Sequence, residues 1–504
     1  MTGLNNIIHS FSLEEQQQFV QFLQKRNKRN DTKNIQLFQL LLADELSSDE
    51  ISTAIYKKVN RDALYALRKR LYQSVIDFTS NHVMEDEVSI DMQIAKYLLA
   101  ARSFLSKGHY ITAYKVLDKA EKSAQEHQLF TMLNEIYHTK IQYAYHNDAL
   151  DLNLLIEKFK KNQELYELDE EMNIAYAKIR KAIREVTRKG SIIDFQELVV
   201  DIFEEHNINM NETLSFKSLY QLITIASISA FATKDYYEIE SFLLSTYKLI
   251  KDHKSKDRQL LYHIHVVFAI ANTLFRNKKF QISQDYLELM HDLMLSKRKK
   301  HYNRFRLKYN LLRALNDNYS GNQEQAIEIL EMFIQKSHPD LSSLLDIYLS
   351  LIMCYFQKGD FKKAMQLFAK FYHTDKWYIQ KGGQEWTMKK SLIEILLQLE
   401  LGNIDLFESR LLSFKRSYFD YLKKIGQERV IVYLSLVEDY YKNPSQVTTE
   451  EFSDKVENSF DFVASEYEDI FVMSFYAWLK SKMDQQPLYE TTLQLVNKDQ
   501  TTIS

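Results

Sequence analysis

The chain has 504 residues, of which only 3 are proline and 9 glycine; 45% are apolar, and 65 basic against 68 acidic side chains leave a net charge of −3. Proline breaks helix interiors and glycine weakens them, so a chain this poor in both reads as helices joined by short turns. The near-neutral balance calls for neither nucleic acid nor a charged membrane surface as partner, no apolar run reaches the roughly 18 residues of a membrane span, and the single cysteine, Cys354, rules out an internal disulfide framework.

The N-terminus, MTGLNNIIHSFSLEEQQQF, has neither the basic nor the apolar region of a secretory signal, so a cytoplasmic setting is expected. The first 85 residues read as a helical bundle. Ser12 with Glu15 is a capping-box spacing that opens a helix carrying Phe19, Phe22 and Leu23. Asp31 is placed to cap a second helix with Ile35, Phe38, Leu41 and Leu42, and Ser47 with Glu50 opens a short third. Asn60 caps a long fourth, in which Leu64, Leu67, Leu71, Val75 and Phe78 form one apolar stripe. A short helix, the turn KKVN and a long helix bearing Arg61, Arg68, Lys69 and Arg70 also have the order of a helix-turn-helix. Residues 82–88, HVMEDEV, carry no stripe and read as a linker.

From about residue 89 the chain becomes a run of helical pairs. In 93–127, Tyr97, Ala101 and Phe104 precede Gly108, and Ala113, Leu117 and Ala120 follow it. In 345–372, Tyr348, Leu351 and Tyr355 precede Gly359, and Ala364 and Phe368 follow. Gly321 and Gly402 mark two more turns, with Ala326 at the same offset from Gly321 as Ala364 from Gly359. Small residues let two helix axes approach, and large ones fill the space opposite. The segment 261–290 shows a looser version through Ala271, Leu274, Ser283, Leu287 and Met290, and 129–165, 170–206, 213–250 and 392–440 show helices without the full pattern. Residues 449–483 read as closing helices, and the polar tail 487–504 as frayed.

These pairs resemble the tetratricopeptide repeat, a unit of two antiparallel helices and 34 residues, although the turn spacing here drifts above that period. The resemblance implies an α-solenoid over 89–440 that binds proteins or peptides and carries no catalytic activity. It also implies that the first helix of each pair lines the binding face. On matching segments this selects Leu98, Arg102 and Leu105 on one unit, His265, Phe268, Asn272 and Arg276 on a second, and Leu349, Met353 and Phe356 on a third.

The search for chemistry finds no zinc, calcium or nucleophile-elbow spacing, so no metal, cofactor or catalytic residue is expected. His263 and His265 are two apart on a helix and point to different faces. Cys354 lies in an apolar helix, where a thiol is buried and inert. The segment DKWYIQKGGQEW (375–386), with Trp377 and Trp386, reads as a longer loop. Most of the 32 Tyr and 30 Phe recur beside Leu and Ile at helical spacing, as packing residues. Two charge blocks stand out. Residues 297–308, KRKKHYNRFRLK, hold Lys299, Lys300 and Arg304 among seven basic residues and no acid, a contact site for an acidic partner or a solvated helix junction. Residues 450–469 hold eight acids against Lys455.

The expected molecule is therefore an all-α solenoid of stacked antiparallel helix pairs behind an N-terminal helical bundle. Its expected role is that of a non-enzymatic scaffold for a protein or peptide. The competing expectation is a regulator with a DNA-binding head, which needs Arg61, Arg68 and Arg70 on one exposed face.

Overall fold

The computed structural model describes residues 2–497 except for positions 10, 12, 27–32, 44–45, 86–89, 190–194, 209–213, 234–235, 254–255, 257–258, 300, 335–337, 339, 425–426 and 460–469. Among the described residues every regular element is helical. The chain divides into two compact units, Met1–Glu164 and Leu165–Ser504.

In the first unit, α1 (Thr2–His9), α2 (Leu13–Arg26), α3 (Lys33–Ala43), α4 (Ser48–Tyr56) and α5 (Arg61–Glu85) form a bundle. The α5 stripe foreseen from its spacing is buried, and it packs with Ile8, Phe19, Leu37 and Phe38. Phe19 is the hub, with ring centroids 5.0 Å from Phe38 and 5.1 Å from Phe78. The capping box at Ser47 is complete: its hydroxyl accepts from the Glu50 N–H, and its own N–H donates to the Glu50 carboxylate at 2.7 Å. Asn60 caps α5 by accepting from the Ala63 N–H at 3.0 Å. The expected caps Ser12 and Asp31 lie outside the described residues. The start of the expected linker is helical instead, because α5 continues to Glu85.

The bundle is followed by α6 (Ile90–Ser106), α7 (Tyr110–Glu126), α8 (Phe130–Gln142) and the 38-residue α9 (Leu152–Lys189), within which the division between units falls. Ala101, Ala113, Leu117 and Ala120 are all fully buried where α6 and α7 meet. The continuous α9 corrects the expected pair at 170–206, whose first half is the second part of this one helix.

The second unit continues with α10 (Phe195–Glu205), α11 (Phe216–Thr233), α12 (Tyr237–Asp252), α13 (Leu260–Arg276), α14 (Phe280–Lys299), α15 (Tyr302–Tyr319), α16 (Gln323–Ile334), α17 (Leu341–Gln357) and α18 (Phe361–Phe368). Then come α19 (Asp375–Gly382), α20 (Gln384–Glu400), α21 (Ile404–Lys424), α22 (Glu428–Lys442), α23 (Glu450–Ser459), α24 (Ile470–Asp484) and α25 (Leu488–Asn497). Helices α13 with α14, α15 with α16, α17 with α18 and α20 with α21 pack as hairpins. The first helices also touch one another in series, α11 to α13, α13 to α15, α15 to α17 and α17 to α20, and so form a continuous layer. The segment expected as a loop at 375–386 is mostly α19, capped by the Thr374 hydroxyl, with Tyr378 stacked on Trp386 at 5.4 Å.

One turn closes most of these hairpins. At Gly108 (φ +79°) the next N–H, of His109, reaches back to the Phe104 carbonyl at 2.9 Å, while the Gly108 N–H bonds the Leu105 carbonyl. This is the Schellman arrangement, which satisfies the last carbonyls of a helix within two residues. It recurs at Gly359 and Gly402, and at Gly321 the Asn322 N–H makes the same reach to the Asp317 carbonyl at 2.8 Å; all three glycines were singled out from the sequence. It recurs again at Gln128, Asn207, Lys278 and Gln485, where a side chain occupies the left-handed region and the same back-bond spans 2.9 to 3.0 Å.

The C-terminal part departs from expectation. Helix α24 is buried on most of its circumference and contributes to two cores, with Val472 and Asp484 left exposed. Ile470, Met473 and Ala477 join the core of α11–α15, while Trp478, Leu479 and Met483 join that of α16–α22. The tail expected to fray from 487 instead forms α25 up to Asn497, with Thr491, Thr492 and Val496 buried. The Tyr489 hydroxyl there donates to the Asn318 carbonyl at 2.6 Å.

Two outcomes follow for stability. Ala113→Phe and Ala364→Phe each overpack a fully buried contact and should lower unfolding free energy by about 1–3 kcal/mol; unchanged denaturation midpoints in both would contradict the packing. At the turns, a Cβ on Gly359 meets open space, so Gly359→Ala should cost about 1–2 kcal/mol from backbone conformation alone. The exposed Gln485→Gly should raise the midpoint, gaining up to about 1 kcal/mol after glycine's greater chain entropy is subtracted.

Candidate functional site

The residues selected from the sequence separate into packing residues and one surface group. In the first unit, Leu98 and Leu105 are buried in the α6–α8 core, so they do not form a contact face. Arg102 is exposed but engaged: it donates to the Glu135 carboxylate at 2.6 Å and to the Thr139 hydroxyl at 3.2 Å, tying α6 to α8. In the second unit, Leu349 and Phe356 are likewise buried, and Met353 is half-buried against the same core. The reason is that α17 is apolar around most of its circumference and is packed by α15, α16, α18 and α20, so its repeat-derived face positions are interior.

His265, Phe268, Asn272 and Arg276 behave differently. Their spacings of 3, 4 and 4 place them on one stripe of α13, and all four are half-buried. Beside them stands α15, so the basic block and the repeat-derived residues, which were separate in the sequence, meet here. The His265 ring lies 4.6 Å from Phe305 and 5.8 Å from Tyr220, whose ring is 4.8 Å from Tyr262. Arg304 and Lys308, one turn apart on α15, are exposed next to this row. Burial, then the charges of Lys308, Arg304 and His301, hold the His265 imidazole down at about 4, so it is neutral at physiological pH. Lys299 lies exposed at the end of α14, on the second helix of its hairpin, and Lys300 lies outside the described residues.

The same layer holds charges that the sequence reading passed over. Asp346 is the only charged residue of α17 and is partly covered; burial raises its carboxyl to about 6, while Lys389, Lys308 and Arg276 oppose the rise. Lys389 of α20 pairs with Glu385 at 3.0 Å. Arg276 and Lys389 both lie over the ring of Phe471 at the start of α24, at 4.4 and 5.0 Å. A lone charge in an apolar helix such as α17 was the available signal for Asp346. Nothing local marked Phe471, whose partners are some 80 to 195 residues away in sequence.

Other contacts of α24 fall on the same layer. Tyr319 of α15 donates to the Ser474 hydroxyl at 2.7 Å, and Trp478 donates its indole N–H to Glu400 of α20 at 2.5 Å. Tyr433 of α22 donates to the Phe475 carbonyl at 3.1 Å. A cleft of about 960 Å³ lies where the turns after α15, α17 and α24 meet, lined by Gly321, Gln357, Gly359, Trp478 and Lys482. Two ion pairs lie in its lining, Lys482 with Glu400 at 2.6 Å and Lys358 with Glu324.

The remaining chemical candidates are accounted for by packing. Burial pushes the Cys354 thiol up to about 12, and buried His263 meets the Tyr247 hydroxyl at 3.3 Å. No three His, Cys, Asp or Glu side chains among the described residues are placed to hold a metal ion. At the N-terminal bundle, Arg61 makes a two-pronged pair with Asp49 at 3.0 and 2.8 Å, and Arg68 is half-buried. At about 100° per residue, Arg70 lies opposite Arg61 on α5. The three arginines therefore do not share one exposed face. Comparisons with family models, curated proteins and solved structures return no match. No helix among the described residues is long and apolar enough to cross a membrane.

Asp346 generates a pH test. Its folded-state affinity for a proton exceeds the ordinary carboxyl value of 3.8, so it lowers stability as pH rises from about 4 through about 6. His265 acts oppositely, losing stability as pH falls from 6.5 toward about 4, so the comparison must be between variants at each pH. Asp346→Asn should melt above the parent at pH 7.5, and the gap should close near pH 4. A gap that persists unchanged at pH 4 would refute the assignment.

Proposed function

We propose that the chain is a non-enzymatic, cytoplasmic protein- or peptide-binding scaffold of the tetratricopeptide-like kind, working through the first-helix layer of its second unit. The observation that carries this reading is the stripe His265, Phe268, Asn272 and Arg276, set beside exposed Arg304 and Lys308 in a layer otherwise closed by packing. Mixed aromatic, amide and guanidinium side chains, half-covered and held by rigid helices, have the composition of interaction surfaces, in which aromatics and Arg are enriched. The paired Arg61 and the divided arginines of α5 give no support to the regulator with a DNA-binding head.

Position 268 provides the test. A photo-crosslinking phenylalanine analogue placed at Phe268 should capture a discrete host protein, and the same analogue at the exposed Tyr372 should not. Phe268→Glu, made on the half-buried surface, should abolish co-purification of that protein while leaving the helical circular dichroism signal intact. Equal capture from both positions would overturn the proposal.

A further inference from the structure

The layer around α13 and α15 has an unequal distribution of charge. Arg276 comes from α13, Arg304 and Lys308 from α15 and Lys389 from α20; the carboxylates among them include Asp346, with Asp340 near it, and the Glu385 already paired with Lys389. Arg276 and Lys389 are brought together by one object, the Phe471 ring, which each covers at 5.0 Å or less. This is a cation–π clasp formed by two first helices on an aromatic side chain of a third segment. Helix α24 thus displays how this layer receives a helix: an aromatic ring between two cations, then hydroxyl and indole hydrogen bonds further along. Its Phe471, at the first turn, meets Phe275 and Arg276 of α13, and on α15 Arg304 and Lys308 stand exposed beside half-buried Phe268.

We infer that the exposed cations of this stretch receive an acidic segment of a partner protein that carries an aromatic residue. The inference rests on the reading of the first-helix layer as a binding face and names its partner class. Four cations on three rigid helices attract carboxylates, steering encounter and fixing register. The half-buried Phe268 beside them offers apolar surface for a ring. Single-stranded nucleic acid is the other anion of matching charge. It needs aromatic faces open for stacking, whereas here Tyr220, Tyr262 and His265 lie against one another and Phe305 is 1% exposed. The aromatic row is spent on itself, which favours the peptide.

The probes are a fluorescein-labelled peptide of three Glu-Glu-Phe triplets, its Gln-Gln-Phe counterpart, and an oligo-thymidine strand of about the same charge. The reading is fluorescence anisotropy on the full chain. The Glu peptide should bind at least about tenfold more tightly than the Gln peptide at 0.1 M salt, and this advantage should shrink at 0.5 M. Arg304→Glu with Lys308→Glu, both at exposed positions, should remove the advantage while the helical circular dichroism signal stays intact. Asp346→Asn should tighten the Glu peptide and leave the Gln peptide unchanged. Oligo-thymidine bound more tightly than the Glu peptide, or a Glu peptide indifferent to the double reversal, overturns the inference. If the Gln peptide binds as tightly as the Glu peptide and Phe268→Glu abolishes both, the acidic class is wrong and the binding face stands. No binding of any probe, together with no crosslink from position 268, removes both.

Discussion

Everything in this molecule depends on how a helix is stopped. A helix ends with four carbonyls lacking partners, and an all-helical chain faces that deficit at every turn. The two-residue left-handed turn answers it locally, with one back-bond from the residue after the turn and one from the turn residue itself. Because so little chain is used, the next helix must run antiparallel and pack on the last. The hairpins then have small residues such as Ala113 and Ala364 at their closest approach, and the first helices come into direct contact with each other. The layer that holds the candidate site is a geometric result of that repeated stop.

The same turn explains what could be read from the sequence. Scarcity of proline and glycine marked the all-helical class, and four turns announced themselves because glycine occupies the left-handed position. The hairpins at Gln128 and Lys278, and the turn that ends α10 at Asn207, use identical hydrogen bonding but hide it. An ordinary side chain tolerates that conformation at a cost of roughly 1–2 kcal/mol, which tertiary packing can outweigh. The unit boundaries looked degenerate because the marker residue was missing, not because the structure was. The length of α9 and the helicity of α25 were illegible for a related reason: neither has a local stop signal where one was expected.

The site was legible only in part. The repeat resemblance selected His265, Phe268, Asn272 and Arg276, which share one stripe because they lie on a single helix at spacings of 3 and 4. It misassigned Leu98, Leu105, Leu349 and Phe356, whose exposure depends on how many neighbours surround the helix. No periodicity within α6 or α17 carries that information. The meeting of Arg304 with His265, and of Phe471 with Arg276 and Lys389, belongs to tertiary structure alone.

Helix α24 gives the second unit an order of assembly. A stack of hairpins can form progressively as it leaves the ribosome, since each pair needs only its neighbour. The first-helix layer cannot be finished that way. Tyr319, Arg276, Lys389 and Glu400 wait for Ser474, Phe471 and Trp478, which are synthesised up to roughly 195 residues later. At a synthesis rate of about 5–20 residues per second, the 78 residues from Glu400 to Trp478 alone take roughly 4–16 seconds. Closure of this layer therefore waits on one helix that comes late in the chain.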